Sequence, residues 1–290
     1  MNWKTIQLRN YALKSILLGV LAGLWGVLLS TGVYLLPIEE PYIHVLAGTA
    51  MGLAMGALLA SVEEISNQYP GRATKTALMG GLLTALAGGF GMAHMAQLPA
   101  PESEAIFSFW LQWSLKLVLM AGTAGFGSGL GIRDVQKGIR RTFAMVLAGA
   151  IFSIPVTFWL SKTPPAIWKS ALALSLWGGV LSFSVYWSER FLAKRWLRIL
   201  SGPSEDHFHP LFKRTLLLGK LDANDIPLPD CHEVFPMHAL IHWSKNHYQI
   251  VDDDQEGMVL VNFRPVQIHE LRSGDVIKIG SALLQYGEKN

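Results

Sequence analysis

A membrane-embedded bundle of six helices followed by an all-β sandwich is the fold class this sequence predicts, and three observations predict it. The 290 residues are 51% hydrophobic and only 16% charged, against about 25% charged in soluble domains. Six apolar runs, each near the roughly 20 residues that a helix needs to cross a bilayer core, succeed one another before Arg190. Beyond Phe208 short alternating stretches split by turn residues take over, and the charge balance reverses. Residues 1–200 hold 16 Lys/Arg and 8 Asp/Glu, whereas residues 201–290 hold 8 and 13. The net charge of +3 is thus an average over unlike halves and does not describe a basic nucleic-acid binder. A single soluble globule is excluded, and so is a disulfide-stapled secreted domain, because Cys231 is the only cysteine.

The predicted spans are Ser15–Leu36, His44–Val62, Thr76–Gln97, Phe109–Gly131, Thr142–Leu160 and Lys169–Trp187. The first runs into Pro37 and Glu39–Glu40 without a small-x-small cleavage site and reads as a retained signal anchor. Cationic loops are kept on the cytoplasmic side, and 13 Lys/Arg fall on the N-terminal tail, alternate loops and the flank of the last span. The opposite loops hold only Lys162 and Lys169, beside Glu39, Glu40, Glu102 and Glu104. Both termini are therefore expected in the cytoplasm, on a multi-pass protein of the inner membrane.

Glycine is concentrated inside these spans: Gly48, Gly52 and Gly56 form a GxxxGxxxG ridge, with Gly19, Gly23, Gly80 and Gly88 nearby in kind. Small residues at this spacing let helix backbones approach closely. That approach serves packing inside the bundle, homo-oligomerisation through the GxxxG faces, or a gated pore. The two Gly-rich hairpins around Arg72 and around Arg140–Arg141 form a weak parallel repeat. Lys116 is the one charge deep in a span, and an intramembrane lysine costs about 2.5–3.5 kcal/mol on insertion scales. It is a candidate intramembrane site if it faces the bundle interior; the alternative is a stem that snorkels past Gln112 to the outer headgroups. The predicted spans contain no Asp or Glu to pair with it.

After the last span, the basic stretch from Glu189 to Leu200 reads as a juxtamembrane helix, either lying on an anionic leaflet or serving as a stop-transfer flank. Domain bounds follow: 1–200 for the membrane part with that helix, 201–207 for a Gly/Pro/Ser linker, and 208–290 for the sandwich. Seven strands are expected, at Thr215–Leu218, Ala239–Trp243, Tyr248–Val251, Met258–Asn262, Val266–His269, Val276–Ile279 and Ala282–Tyr286. Seven such strands with no helical pattern make an antiparallel sandwich.

Leu216–Lys220, Ile226–Asp230, Val234–Ile241, Tyr248–Asp254, Gly257–Asn262, Leu271–Gly280 and Ala282–Tyr286 together resemble the forkhead-associated (FHA) domain over about 75 residues. The Leu271–Gly280 block carries most of the resemblance. Gly219, His238, Gly257, Asn262, Gly274 and Asp275 match that family's structural frame, and the resemblance implies loops that bind phosphothreonine peptides. The loops themselves depart from the pattern. The family's Gly-Arg stands here as Gly219–Lys220, which keeps a cation and loses the planar fork. Its Ser-Arg stands as Phe235–Pro236, without hydroxyl or guanidinium. Its loop Asn stands as Glu256, beside Asp252, Asp253 and Asp254, where carboxylates repel a dianionic phosphate.

Lys220, Phe235, Pro236, Glu256 and Met258 are thus the expected lining of a phospho-independent protein contact. The chain then reads as a membrane-anchored adaptor or scaffold with a cytoplasmic protein partner. The alternative is a channel or transporter regulated by the FHA-like module. No metal site is expected: His238 and His242 lie about 13 Å apart if the strand is extended, and the acidic run lacks a calcium-loop spacing. Walker, dinucleotide, HExxH and GxSxG motifs are missing from the sequence, so neither a cofactor nor an enzymatic activity is expected.

Overall fold

The computed structural model describes residues 3–40, 42–67, 69–96, 106–162, 167–201, 205, 207–229, 231–252 and 258–289. The chain divides into two compact units, 1–188 and 189–290.

The first unit is helical: α1 Trp3–Val33, α2 Tyr42–Ser66, α3 Pro70–Ala96, α4 Ile106–Gly131, α5 Val135–Lys162 and α6 Ile167–Leu192, whose last turn enters the second unit. Among the described residues α1, α2, α3, α5 and α6 contain stretches long and apolar enough to cross a bilayer. Their outward faces are apolar: Phe90 on α3 is 74% exposed, and Leu86, Phe143 and Leu147 are also bare. Apolar surface on this scale marks a face that meets lipid or another protein.

The helices outrun the predicted spans, so the connections are tight. Pro70 opens α3 at the first helical position, where its missing N–H costs nothing. Between α4 and α5, Arg133 takes a left-handed φ of 56°. Asp134 then caps α5, its Oδ1 accepting from the Lys137 N–H at 2.9 Å.

Each glycine ridge meets a partner within the chain. A Cβ on Gly52 would stand 2.1 Å from the Thr84 carbonyl, and one on Gly48 2.4 Å from that of Gly88. Gly19 meets Gly178 of α6, and Gly127 meets Gly80 of α3, as closely. These glycine faces thus pack against helices of the same chain, the first of the alternatives the spacing leaves open. Inside, Trp177, Met55, Met120, Met145 and Leu181 form the apolar centre.

Among its described residues the second unit holds eleven strands: β1 Arg195–Ile199, β2 Phe208–Pro210, β3 Thr215–Gly219, β4 Ile226–Pro227, β5 Ala239–Ser244, β6 His247–Asp252, β7 Val259–Val261, β8 Arg264–Pro265, β9 Ile268–Glu270, β10 Val276–Ile279 and β11 Ala282–Glu288. They form two sheets, ordered β2-β1-β11-β10-β7-β8 and β4-β3-β5-β6-β9. Pairing is antiparallel except between β3 and β4. Alternation places Leu216, Leu218, Ile241, Ile250, Val259, Ile277, Ile279 and Leu284 in one core between the sheets.

Here the structure corrects the expected boundary. Residues 195–199 are a strand and not part of a basic juxtamembrane helix. Leu197 and Ile199 alternate into the sandwich core, and β1 pairs with β11 through Leu197↔Tyr286 and Ile199↔Leu284. Its cations are spent locally: the Arg195 guanidinium lies 2.6 Å from Glu288 and over the Trp243 ring. The sandwich therefore begins before the Gly/Pro/Ser stretch that reads as a linker, and β2 pairs back onto β1 after it. β4 and β8, two residues each, are too short to carry an alternation.

Candidate functional site

The ends of β3, β5 and β6 lie side by side, with Leu218 paired to Ala239 and Ala239 to Asp252. Two loops meet at this end of the sheet, 220–225 and 228–238, and Asp252 and Met258 flank the point where the chain passes from β6 to β7.

Gly219 is confined by the second of them. A Cβ there would stand 2.4 Å from the Pro236 carbonyl oxygen and 2.9 Å from that of Phe235, so only glycine lets the two loops touch. The Lys220 N–H then donates to the Phe235 carbonyl at 2.8 Å, and the Leu221 N–H to that of Pro236 at 3.4 Å. Asn224, fully buried, donates its Nδ2 to the Pro236 carbonyl at 2.6 Å. His238 is equally buried; its Nδ1 accepts from the Phe235 N–H at 3.2 Å, while its own N–H donates to Leu218 at 2.8 Å. With Nδ1 accepting, the ring proton sits on Nε2.

The backbone donors at Lys220, Leu221 and Phe235 are consumed inside the loops, and Pro236 has none. What this end presents outward is Leu221, 48% exposed, Met237, 52%, and Met258, 61%, around the exposed Lys220 and Pro236. Phe235 is half-buried against the His238 ring. Glu256 and Gly257 lie outside the described residues, as do Asp253 and Asp254. Asp252 is turned toward the frame, its Oδ2 accepting from the Val259 N–H at 3.3 Å.

Behind the loops, Asn262 and Phe263 adopt left-handed φ values of 51° and 64° in the β7–β8 turn. Asn262 donates Nδ2 to Asp275 Oδ1 at 2.8 Å and accepts from the Val276 N–H at 3.0 Å. Asp275 Oδ2 accepts from the Arg272 N–H at 2.8 Å and lies 3.2 Å from His269 Nε2. Burial opposes ionisation of Asp275, but these donors outweigh it and hold its carboxyl below the usual carboxylate range. Gly274, at φ +100°, makes the turn that presents Asp275. Asn262, Gly274 and Asp275 thus form a turn lock between the β7–β8 turn and the start of β10.

Sequence reasoning passed over Asn224, whose amide ties the first loop to the second, and Asp225, which accepts from the Leu217 N–H at 3.0 Å and pairs with Lys213. The signal available was an Asn-Asp pair in the short loop between β3 and β4, a common backbone-capping choice.

In the helical unit, Lys116 turns inward. Its stem lies against Gly91 of α3, where a Cβ would meet its Cγ at 3.3 Å and its Cδ at 3.4 Å. Its Nζ and the Oε1 of Gln112, one turn earlier, are both buried without a hydrogen-bond partner among the described residues. The stem thus packs between α4 and α3.

The sequence also hid an acidic pair, because α2 continues through Glu63 and Glu64 instead of stopping at Val62. Glu63 pairs with Lys137 at 2.8 Å and with Arg141, and Arg141 lies 3.6 Å from Glu64. Arg141 is 2% and Glu64 3% exposed. Acids at a helix C-terminus and bases at a helix N-terminus each oppose the local dipole; pairing α2 with α5 offsets both.

Among the described residues no group of three or more His, Cys, Asp or Glu could hold a metal ion.

Fold and site together define a class: apolar helices long enough to cross a membrane, followed by a two-sheet β-sandwich with a loop-bearing end. Within that class, residues 198–290 match the family described as the cytoplasmic domain of the inner membrane component of the type III secretion system. Among solved structures, an FHA domain from work on phosphothreonine-dependent FHA interactions is 25% identical, at a TM-score of 0.30, over 33% of this chain and 97% of that one. The FHA domain of the Chlamydia trachomatis protein CT664 is 23% identical at 0.30, over 33% and 98%. The cytoplasmic domain of the sorting-platform protein PscD from P. aeruginosa is 13% identical at 0.30, over 33% and 81%. A search of the curated proteins found no match.

Proposed function

We propose that this protein is a membrane-anchored adaptor of a bacterial inner membrane. In this reading the helices cross the bilayer several times with both termini in the cytoplasm, and the sandwich recruits a protein partner without needing a phosphate. The observation that carries it is the loop end of the sheet. Its backbone donors are used internally, its family cations are reduced to Lys220, and Leu221, Pro236, Met237 and Met258 stand exposed around it. Such a surface suits an apolar side chain of a protein partner, with Lys220 meeting an acid at the rim. The match of residues 198–290 to an inner-membrane secretion component supports a scaffolding role.

The test uses residues 189–290, a compact unit with its own core, as bait before and after phosphatase treatment of a cell extract. A specific partner should survive phosphatase, be lost in the Leu221→Glu, Met258→Glu double variant, and be weakened less by Lys220→Ala. Failure to retain any partner, or loss of the partner on dephosphorylation, would sink the reading.

A further inference from the structure

The helical unit contains an unfinished polar site. Lys116 lies ten residues into α4, about 15 Å along the helix from Ile106 at 1.5 Å per residue. Its stem is directed onto Gly91 of α3, whose missing side chain leaves room for the lysine between the two helices. An ammonium removed from water requires an anion or several acceptors, yet Nζ has none among the described residues. One turn away, Gln112 Oε1 is an equally buried acceptor without a donor. The acidic pair Glu63–Glu64 is spent on Lys137 and Arg141. Direct pairing of Lys116 with Gln112 would satisfy both atoms, but the structure holds them unpaired. Together they ask for a ligand that accepts from one and donates to the other.

We propose that Lys116 and Gln112 form an intramembrane binding site between α3 and α4 for an anionic oxygen group flanked by an O–H or N–H donor, the chemistry of a phosphate ester carrying a hydroxyl or an amine. Lys116 binds the anionic oxygen, Gln112 takes the adjacent donor, and Gly91 gives the space. A lipid headgroup and a soluble phosphate ester share this chemistry. The site does not depend on the adaptor reading, because it lies entirely in the helical unit.

The experiment follows thermal unfolding of the full chain in non-ionic detergent with three probes. These are phosphatidylglycerol (anion plus hydroxyl), phosphatidylcholine (anion without a donor) and soluble glycerol 3-phosphate. Phosphatidylglycerol should raise Tm by about 4 °C or more at saturation, and phosphatidylcholine, which lacks the donor for Gln112, should raise it less. Lys116→Met should abolish that rise while its own Tm without lipid stays equal or increases, since it removes an unpaired charge. Gln112→Leu, a milder change, should reduce the rise and keeps the test decisive if Lys116→Met fails to fold. A Lys116-dependent rise with glycerol 3-phosphate alone would support the site and assign it to a soluble ligand. A rise that persists undiminished in both variants, or no rise with any probe, would overturn it.

Discussion

Asp275 shows how one side chain sets a local structure. Its carboxylate accepts from the Arg272 N–H and the Asn262 amide and faces His269, and these partners hold its pKa below the ordinary value despite burial. A carboxyl whose folded pKa is depressed contributes stability that is fully present above the unfolded value of about 3.9. That contribution is lost as pH falls through the folded value. Asp275→Asn should therefore cost about 1–3 kcal/mol at neutral pH, measured by urea unfolding of residues 189–290. The gap to the wild type should narrow as pH drops below about 4; a gap that widens toward acid would contradict the assignment. The frame residues Gly219, His238, Asn262, Gly274 and Asp275 could be singled out only through the resemblance to the FHA pattern; of these, Asn262 and Gly274 stand at positive φ. Asn224 could not be singled out, because its role is fixed by which carbonyl, that of Pro236, lies opposite it.

At the scale of elements, β1 changes what counts as the domain. Leu197 and Ile199 are fully buried, and each contributes about 1.5–3 kcal/mol of burial; β1 also supplies the pairing partner of β11 and of β2. Against a total stability of about 5–15 kcal/mol for a domain, its loss is not tolerable. A fragment of residues 205–290 should lack a cooperative thermal transition, while residues 189–290 should unfold cooperatively near the same Tm as the sandwich in the full chain. Equal cooperativity of the two fragments in calorimetry would refute this. The strand escaped a sequence reading because Arg195-Trp-Leu-Arg-Ile is both amphipathic as a helix and alternating as a strand. Only the partner strand β11 decides between periods of 3.6 and 2. The seven expected strands all have counterparts in β3, β5, β6, β7, β9, β10 and β11, since each has a turn signal on both sides.

For the whole molecule, moving the boundary to residue 189 redistributes the charge: residues 1–188 hold 12 Lys/Arg and 7 Asp/Glu, residues 189–290 hold 12 and 14. The bundle keeps its basic excess, on which the expected orientation rests, and the sandwich is close to neutral. Both termini share a side only if α4, which carries Gln112 and Lys116, crosses as well. Cys231 is buried and the sole cysteine, so single-cysteine variants can be labelled against a low background. With a membrane-impermeant maleimide, a cysteine at Glu40 should react in intact spheroplasts, and cysteines at Arg133 and Lys220 only after lysis. Reaction at Lys220 before lysis would place an odd number of crossings in the chain. The sequence by itself determined the two-part architecture, the apolar helices and the sandwich frame, because hydropathy, period and turn chemistry are local properties. Tertiary structure alone decided that the glycine ridges are consumed within the chain, that Lys116 faces α3, that Glu63–Glu64 meet Lys137 and Arg141, and that β1 belongs to the sandwich. The physical reason is common to all four: each depends on what stands opposite a residue in space, and a neighbour distant along the chain leaves no mark on local periodicity.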